Sequence, residues 1–198
     1  MKISYPLNLP FQISQRWGEN PEYYAKLGMK GHNGVDFAVP IGTPIMACHD
    51  GTIQFSGIDS VRSLTVCIDS PDGTLRTLYC HLSESKVQVG QVVKRGDVIA
   101  LSGNTGNFTT GPHLHLGTRP LPAQMDNGWN GAVNPFNYFD GTYPNSSQTT
   151  QPESISALPD GVKDFITALT KYQISKGIKP YPKIGPMTLQ ALKKDNLI

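Results

Sequence analysis

The stretch SLTVCIDSPDGTLRTLYCHL, residues 63–82, decides the fold. In its first half Leu64, Val66 and Ile68 alternate with Thr65 and Cys67, a period of two that sends neighbouring side chains to opposite faces of an extended strand. Pro71, Asp72 and Gly73 supply turn chemistry, and TLRTLYCHL at 74–82 resumes an extended pattern. The whole segment reads as a β-hairpin. Toward the C-terminus, KVQVGQVVKRGDVIALSG at 86–103 predicts two more short strands with glycine turns at Gly90 and Gly96, and PHLHLGTR at 112–119 predicts another. Toward the N-terminus, Val35, Phe37 and Val39 alternate with Asp36 and Ala38. One short helix is expected over NPEYYAKLG, 20–28, with Asn20 as N-cap, Pro21 at the first helical position and Gly28 as the stop. Many short strands, Gly/Pro turns and little helix imply a mainly β unit: an antiparallel sheet, a sandwich or a partly closed barrel.

Residues 144–157, PNSSQTTQPESISA, change character. They are polar, rich in Ser and Thr, and carry two prolines, which predicts a flexible linker. Beyond it the period becomes helical: Val162, Phe165, Ile166 and Leu169 follow the i, i+3, i+4, i+7 rule, Gly177 ends that segment, and Pro186 opens a second one with Leu189 and Leu192. The expected organisation is a β unit over 1–143, a linker over 144–157 and a small α-helical module over 158–198. Residues 151–198 hold seven lysines against four acidic residues, so the tail is mildly basic.

The chain has 198 residues and a net charge of +2. That charge demands no nucleic-acid partner, and no apolar run approaches the length of a membrane span, so no membrane insertion is expected. MKISYPLNLPFQIS, 1–14, has one lysine and no uninterrupted apolar core, which does not read as a secretory signal. The expectation is a monomer made in the cytoplasm, unless a signal was removed. Cys48, Cys67 and Cys80 are widely spaced without a C-x-x-C, which argues against a zinc knuckle. Reduced, buried thiols are the simplest reading, with a single disulfide as the alternative.

The chemistry lies in the histidines. On a strand, His113 and His115 share a face while Leu114 and Leu116 turn to the core. In GHNGVDFAVP, 31–40, the residues at 32, 34 and 36 share a face when extended, and Gly34 leaves space between His32 and Asp36. Asp36 stands among apolar residues, where a carboxylate needs a partner or a cation. A His, Asp, His set with a fourth position open is what catalytic zinc requires, the ion making a hydroxide nucleophile available near neutral pH. The H-x-H pair alone also fits a surface strand face or a satisfied polar pair.

GHNGVDFAVPIGTPIMACHDGTI, TLYCHL, VGQVVKRGDVIALSGNTG and TGPHLHLGTR resemble, in order and spacing, the M23 zinc metallopeptidases, the lysostaphin-like or LytM-like peptidoglycan endopeptidases. The resemblance covers roughly residues 10–140. It implies a lysostaphin-like β fold, one Zn2+ held by His32, Asp36 and His115, and His81 and His113 as catalytic histidines beside the metal. The chain has no H-E-x-x-H, so no glutamate base is at hand. A neutral imidazole can take the proton from water, and a ring N–H can stabilise the oxyanion. Either of His81 and His113 can fill either role. The family often carries Glu two residues after the last histidine, where this chain has Gly117; that leaves the side-chain support of His115 in question, not the ligand set. His49 matches no ligand and is expected as a partly exposed strand-end histidine. Cys80 is expected to point away from the site, and Tyr79 and Arg119 to serve packing or surface contact.

LTKYQISKGIKPYPKIGPMTLQALKKDNL, 169–197, resembles the second half of a helical peptidoglycan-binding domain; the other reading is a helical appendage packed on the β unit. The implied function is zinc-dependent cleavage of peptide stems or cross-bridges in bacterial cell-wall peptidoglycan by a phage or bacterial lysin. The alternative is a non-catalytic wall-binding or phage tail-structure protein on the same fold.

Overall fold

The computed structural model describes residues 1–8, 11–61 and 63–142. Ten strands are present among the described residues: β1 Gln12–Gln15, β2 Val35–Ala38, β3 Pro44–Met46, β4 Gly51–Ile58, β5 Leu64–Asp69, β6 Leu75–Cys80, β7 Leu82–Ser85, β8 Val92–Val93, β9 Val98–Ser102 and β10 Leu114–Pro120. Seven of them form one antiparallel sheet in the order β1-β2-β10-β6-β5-β4-β8, and β3-β9-β7 form a second. The large sheet is open, with β1 and β8 at its edges, so the mainly β, lysostaphin-like architecture holds but the barrel does not close. The expected linker at 144–157 and helical module at 158–198 lie outside the described residues. No helix among the described residues is long and apolar enough to cross a membrane.

The hairpin of 63–82 forms as read: Val66 pairs Tyr79, Ile68 pairs Thr77, and Asp69 pairs Arg76 across the turn. Period-two alternation sorts the side chains. Val35, Phe37, Val66, Ile68, Leu75, Tyr79, Leu114 and Leu116 turn inward and are buried to within 1% of full coverage. Ile45, Leu82 and Ile99 of the small sheet join the same apolar cluster. Burying one such side chain contributes about 1.5–3 kcal/mol, which makes this two-sheet core the main source of stability.

Four strands carry no clear periodic signal. In β4 a register shift between Ile53 and Phe55 breaks the alternation, and β3 shifts against β9 between Ile45 and Met46. β1 and β7 each carry a single apolar residue, Ile13 and Leu82, which shows no period. The helix is shorter than expected: α1 spans Pro21–Ala25, and Gly28 follows at φ 75°. Asn20 does not cap with its side chain. It sits at φ 54°, and its carbonyl instead accepts from the N–H groups of Tyr23 and Tyr24.

The N-terminal segment closes on the end of the unit. Ile3 and Leu7 are fully buried, Ile3 N–H donates to the Tyr138 carbonyl, Asp140 N–H donates to the Ile3 carbonyl, and Tyr5 stacks on Phe139 at 4.4 Å. A single 3-10 turn, Pro135–Asn137, is capped by the Asn134 side chain accepting from Phe136 N–H. The three cysteines are free thiols; Cys48 and Cys67 are buried and Cys80 is half-buried.

Candidate metal centre

The outer face of the large sheet carries one cross-strand row. Gln15 on β1 is in register with Asp36 on β2, Asp36 with His115 on β10, and His115 with Cys80 on β6. Four strands distant in sequence thus contribute one polar line. Cys80 therefore lies on the same face as His115, which corrects the expectation that it turns away. Its neighbour His81 also faces the site, because β6 ends at Cys80 and His81 adopts φ 63°, so the alternation that would separate the two stops there. Burial pushes the Cys80 thiol up to about 12, which leaves it protonated at neutral pH.

His32, Asp36 and His115 converge. His32 Nε2 lies 3.0 Å from His115 Nδ1 and 3.1 Å from Asp36 Oδ1, and His115 Nδ1 lies 2.9 Å from the same Oδ1. The Arg16 carbonyl, 3.1 Å from His32 Nδ1, can only accept, so the ring proton sits on Nδ1 and Nε2 presents a lone pair. A lone pair aimed at a carboxylate oxygen and a second imidazole nitrogen, in a buried site, is a set that a cation satisfies. The donors are two nitrogens and one oxygen, the set of a three-ligand zinc site with a fourth position left for water. Tetrahedral zinc ligands lie about 3.3 Å apart, close to the spacing seen. Burial opposes ionisation of Asp36, but the His115 and His32 imidazoles beside it outweigh that and hold the carboxyl well below the usual carboxylate range. Burial lowers His115 against the pull of Asp36. Burial thus favours the neutral form of the His115 ring, the form a metal needs.

Gly34 does not leave open space. A Cβ there would fall 2.5 Å from His115 Cε1, so the His115 ring packs directly on the Gly34 backbone. Gly117 does leave space: a Cβ there would stand 3.8 Å from His115 Nε2 and 3.7 Å from Leu78. His115 Nε2 has no hydrogen-bond partner among the described residues.

His81 and His113 flank the three. Their ring centroids are 4.6 Å apart, and His81 lies 6.0 Å from His115. His81 Nδ1 donates to the Thr105 carbonyl at 2.7 Å, and His113 Nδ1 to the Gly111 carbonyl at 2.8 Å. Both rings are therefore in the tautomer whose free Nε2 can accept a proton. His113 Nε2 is 3.8 Å from Asp36 Oδ2. Burial lowers His81 to about 4, against the raising effect of its Thr105 hydrogen bond. All five expected residues thus meet in one groove of about 780 Å³, walled by Tyr23 of α1 and Leu27 just after it on one side and by Phe108 and Met125 elsewhere on its rim.

Tyr24 was not legible as a site residue. Its ring lies 5.5 Å from His32, its hydroxyl donates to Gln15 Oε1 at 3.3 Å, and burial, with the nearby Asp36 charge, raises it to about 12. No spacing in NPEYYAKLG marks it.

Three side residues fall outside the groove. His49 is 2% exposed, not partly exposed: its Nδ1 donates to the Asp50 carbonyl at 2.7 Å and its Nε2 accepts from Thr77 Oγ1 at 3.0 Å. Thr77 in turn meets the Tyr79 hydroxyl at 3.2 Å, and that hydroxyl accepts from Cys48 N–H at 2.8 Å. Tyr79 thus packs in the core. Arg119 donates to the Asn130 carbonyl.

Comparison with known proteins agrees with this geometry. The family model described as peptidase family M23 matches residues 30–133. The peptidoglycan DD-endopeptidase ShyA of Vibrio cholerae is 40% identical over 127 residues, covering 62% of this chain and 29% of that protein. The catalytic domain of the antimicrobial peptidase lysostaphin from Staphylococcus simulans superposes with a TM-score of 0.54 at 32% identity, covering 65% of this chain and 91% of that one. A zinc-containing peptidase from Vibrio cholerae gives a TM-score of 0.56 at 32% identity, covering 68% of this chain and 39% of that one. The match to ShyA takes in less than a third of that relative's length.

Proposed function

The chain belongs to peptidase family M23, and from that premise we propose that it is a zinc-dependent endopeptidase that hydrolyses peptide stems or cross-bridges of bacterial peptidoglycan, working as a phage or bacterial lysin. The observation that carries this reading is the meeting of His32 Nε2, Asp36 Oδ1 and His115 Nδ1 within about 3 Å of one another, from two stretches of chain 79 or more residues apart. These three residues would hold one zinc ion. When bound, zinc supplies Lewis acidity that brings the pKa of water to about 7.

The remaining steps belong to the chain. The Thr105 and Gly111 carbonyls hold His81 and His113 with Nε2 unprotonated and turned to the groove. One of the two accepts the proton of the attacking water; once protonated, that ring can pass the proton to the departing amine. The other, once its Nε2 has taken up a proton from solvent, donates that N–H to the peptide carbonyl oxygen and stabilises the charge building there. Asp36, kept ionised, cannot compete for that proton. The apolar side chains of Tyr23, Leu27, Phe108 and Met125 along the groove offer contact to a peptide laid across the strands. Wall attachment we assign to residues 158–198, on their lysine excess and their resemblance to part of a peptidoglycan-binding domain.

Digestion of purified peptidoglycan tests the reading. New amino termini without new reducing sugar ends, abolished by chelation and restored by zinc, are expected. Reducing ends without amines, or full activity after exhaustive chelation, overturns it. Wall binding without any turnover favours the non-catalytic alternative.

A further inference from the structure

The turn between β4 and β5 does more than join two strands. Asp59 Oδ1 accepts the N–H groups of Val61 and Ser63 at 3.0 and 2.9 Å, and Oδ2 accepts the Thr65 hydroxyl at 3.1 Å. Asp59 N–H donates to the Ser63 carbonyl, which closes the turn. The carboxylate is thus spent entirely on shaping the chain from 59 to 65. The result places Ser63, fully buried, beneath the end of β6, where its Oγ accepts the His81 N–H at 2.8 Å.

His81 needs that support. A non-glycine residue at φ 63° is in a sparsely populated backbone region and persists only when its surroundings over-determine it. Two contacts do so here: Ser63 holds the backbone N–H, and the Thr105 carbonyl holds the ring Nδ1–H. The two holds are one unit. Thr105 Oγ1 accepts Leu64 N–H and donates to the Leu82 carbonyl, and a Cβ on Gly106 would meet Ser63 Cβ at 3.0 Å, so the two turns press on each other.

We infer that Asp59 and Ser63 are positioning residues for His81: they hold its backbone in the left-handed conformation that turns the imidazole, with Nε2 free, into the groove. Without the Ser63 acceptor, His81 can relax to extended backbone and carry its ring away. The inference rests on the reading of His81 as a proton-handling residue and goes beyond it by naming what aims it.

A double-mutant cycle in the full-length chain tests this, with kcat and KM measured on soluble peptidoglycan fragments. Ser63→Ala is expected to lower kcat about 10- to 100-fold, with KM changed by less than about twofold and zinc content unchanged. Asp59→Ala should move kcat the same way, while Asp59→Asn, which keeps Oδ1 as acceptor, should restore most of it. In a His81→Ala background, Ser63→Ala should change kcat by less than about twofold, because a residue acting through His81 has nothing left to act on. Histidine 15N spectra of the metal-free chain give a second readout: His81 should show one tautomer, protonated at Nδ1, in the wild type and tautomer averaging in Ser63→Ala. Additive effects in the cycle, or an unchanged His81 signal in Ser63→Ala, overturns the inference. Absence of turnover in the wild type would strike the functional reading alone, since the spectra still decide the positioning.

Discussion

Asp36 Oδ1 and His115 Nδ1 lie 2.9 Å apart although 79 residues separate them in the chain. They meet because β2 and β10 are adjacent antiparallel strands and these two residues are direct partners in the register. Directly opposed residues share a face with Cβ atoms about 5 Å apart, so a single strand pairing builds two of the three members of the candidate metal set. A one-residue slip would send Asp36 into the core and Phe37 to the groove.

Substitution should divide the five residues into two groups. His32→Ala, Asp36→Ala and His115→Ala are each expected to lose both zinc and activity. His113→Ala and His81→Ala are expected to retain one zinc per chain while kcat falls about 10²- to 10⁴-fold, the usual worth of positioned acid–base groups. Metal analysis after gel filtration, beside turnover of purified peptidoglycan, reads both. Retention of zinc by His115→Ala with its loss from His113→Ala would reverse the assignment of the pair.

The two glycines beside His115 should respond in opposite directions. Gly117 is not in a left-handed conformation and has room for a Cβ, so Gly117→Glu can place a carboxylate within reach of the unpartnered His115 Nε2. Zinc affinity should rise about 10-fold or more, as such supporting partners usually confer. Gly34→Ala should drive the His115 ring from its place, with overpacking costing about 1–3 kcal/mol and weaker zinc binding. Competition with a chelator of known affinity and thermal melts measure the two. Weaker binding in Gly117→Glu would sink the first claim.

Acid should destabilise the metal-free protein partly through His49. Its burial lowers the folded pKa below the ordinary 6.5, against the raising effect of the Asp50 carbonyl. The unfolded chain therefore binds the proton first. Stability is fully present above about pH 6.5 and is lost as pH falls through the depressed folded value. The hydrogen-bond chain gives the reason: Nδ1–H serves the Asp50 carbonyl, Nε2 accepts from Thr77, and a second ring proton would leave Thr77 facing a donor. Over that window one proton corresponds to about 1.4 kcal/mol per pH unit. Denaturant melts from pH 7.5 to 5 in excess chelator should show a slope that falls by about one proton in His49→Gln; an unchanged slope would remove His49 from the account. His115 and His81, also lowered, supply the rest.

A chain ending at residue 143 should cut a small soluble peptide with kcat/KM within about twofold of the full-length value, yet sediment less with intact walls and lyse cells more slowly. Every residue of the candidate centre precedes 120. Tethering raises local substrate concentration without altering the site. The difference should narrow at high salt if the lysine excess carries the attachment. A large fall in the melting temperature of the shortened chain would instead make the tail a structural support.

The strands that could be read from sequence were those whose alternation runs unbroken, β5, β6 and β10 above all. β4 escaped because its register shift breaks the period, and β1 and β7 because each carries a single apolar residue. The five histidine and aspartate positions came from their resemblance to a family motif, supported by strand periodicity for His113 and His115. Periodicity then misled on Cys80, since it took the strand to run on through His81, where the backbone in fact turns at φ 63°. His49 looked like a strand-end residue because its side-chain partner Thr77 is 28 positions away. Ser63 and Asp59 act through turn geometry that no spacing rule encodes, and nothing in the spacing of the short helix marks Tyr24.

The stitch between Ile3 and residues 138–140 has a consequence for how this unit can be carried. Entry and exit of the β unit are hydrogen-bonded neighbours, Ile3 N–H to the Tyr138 carbonyl and Asp140 N–H to the Ile3 carbonyl. A segment whose two ends meet can be spliced into a host loop, or joined end to end and reopened elsewhere, with little strain on what lies between. The groove, built on β2, β6 and β10 and on the turn at 59–63, would travel intact through such a rearrangement. The fold is in that sense a cassette, and the same chemistry can be mounted at the start, the middle or the end of a longer polypeptide.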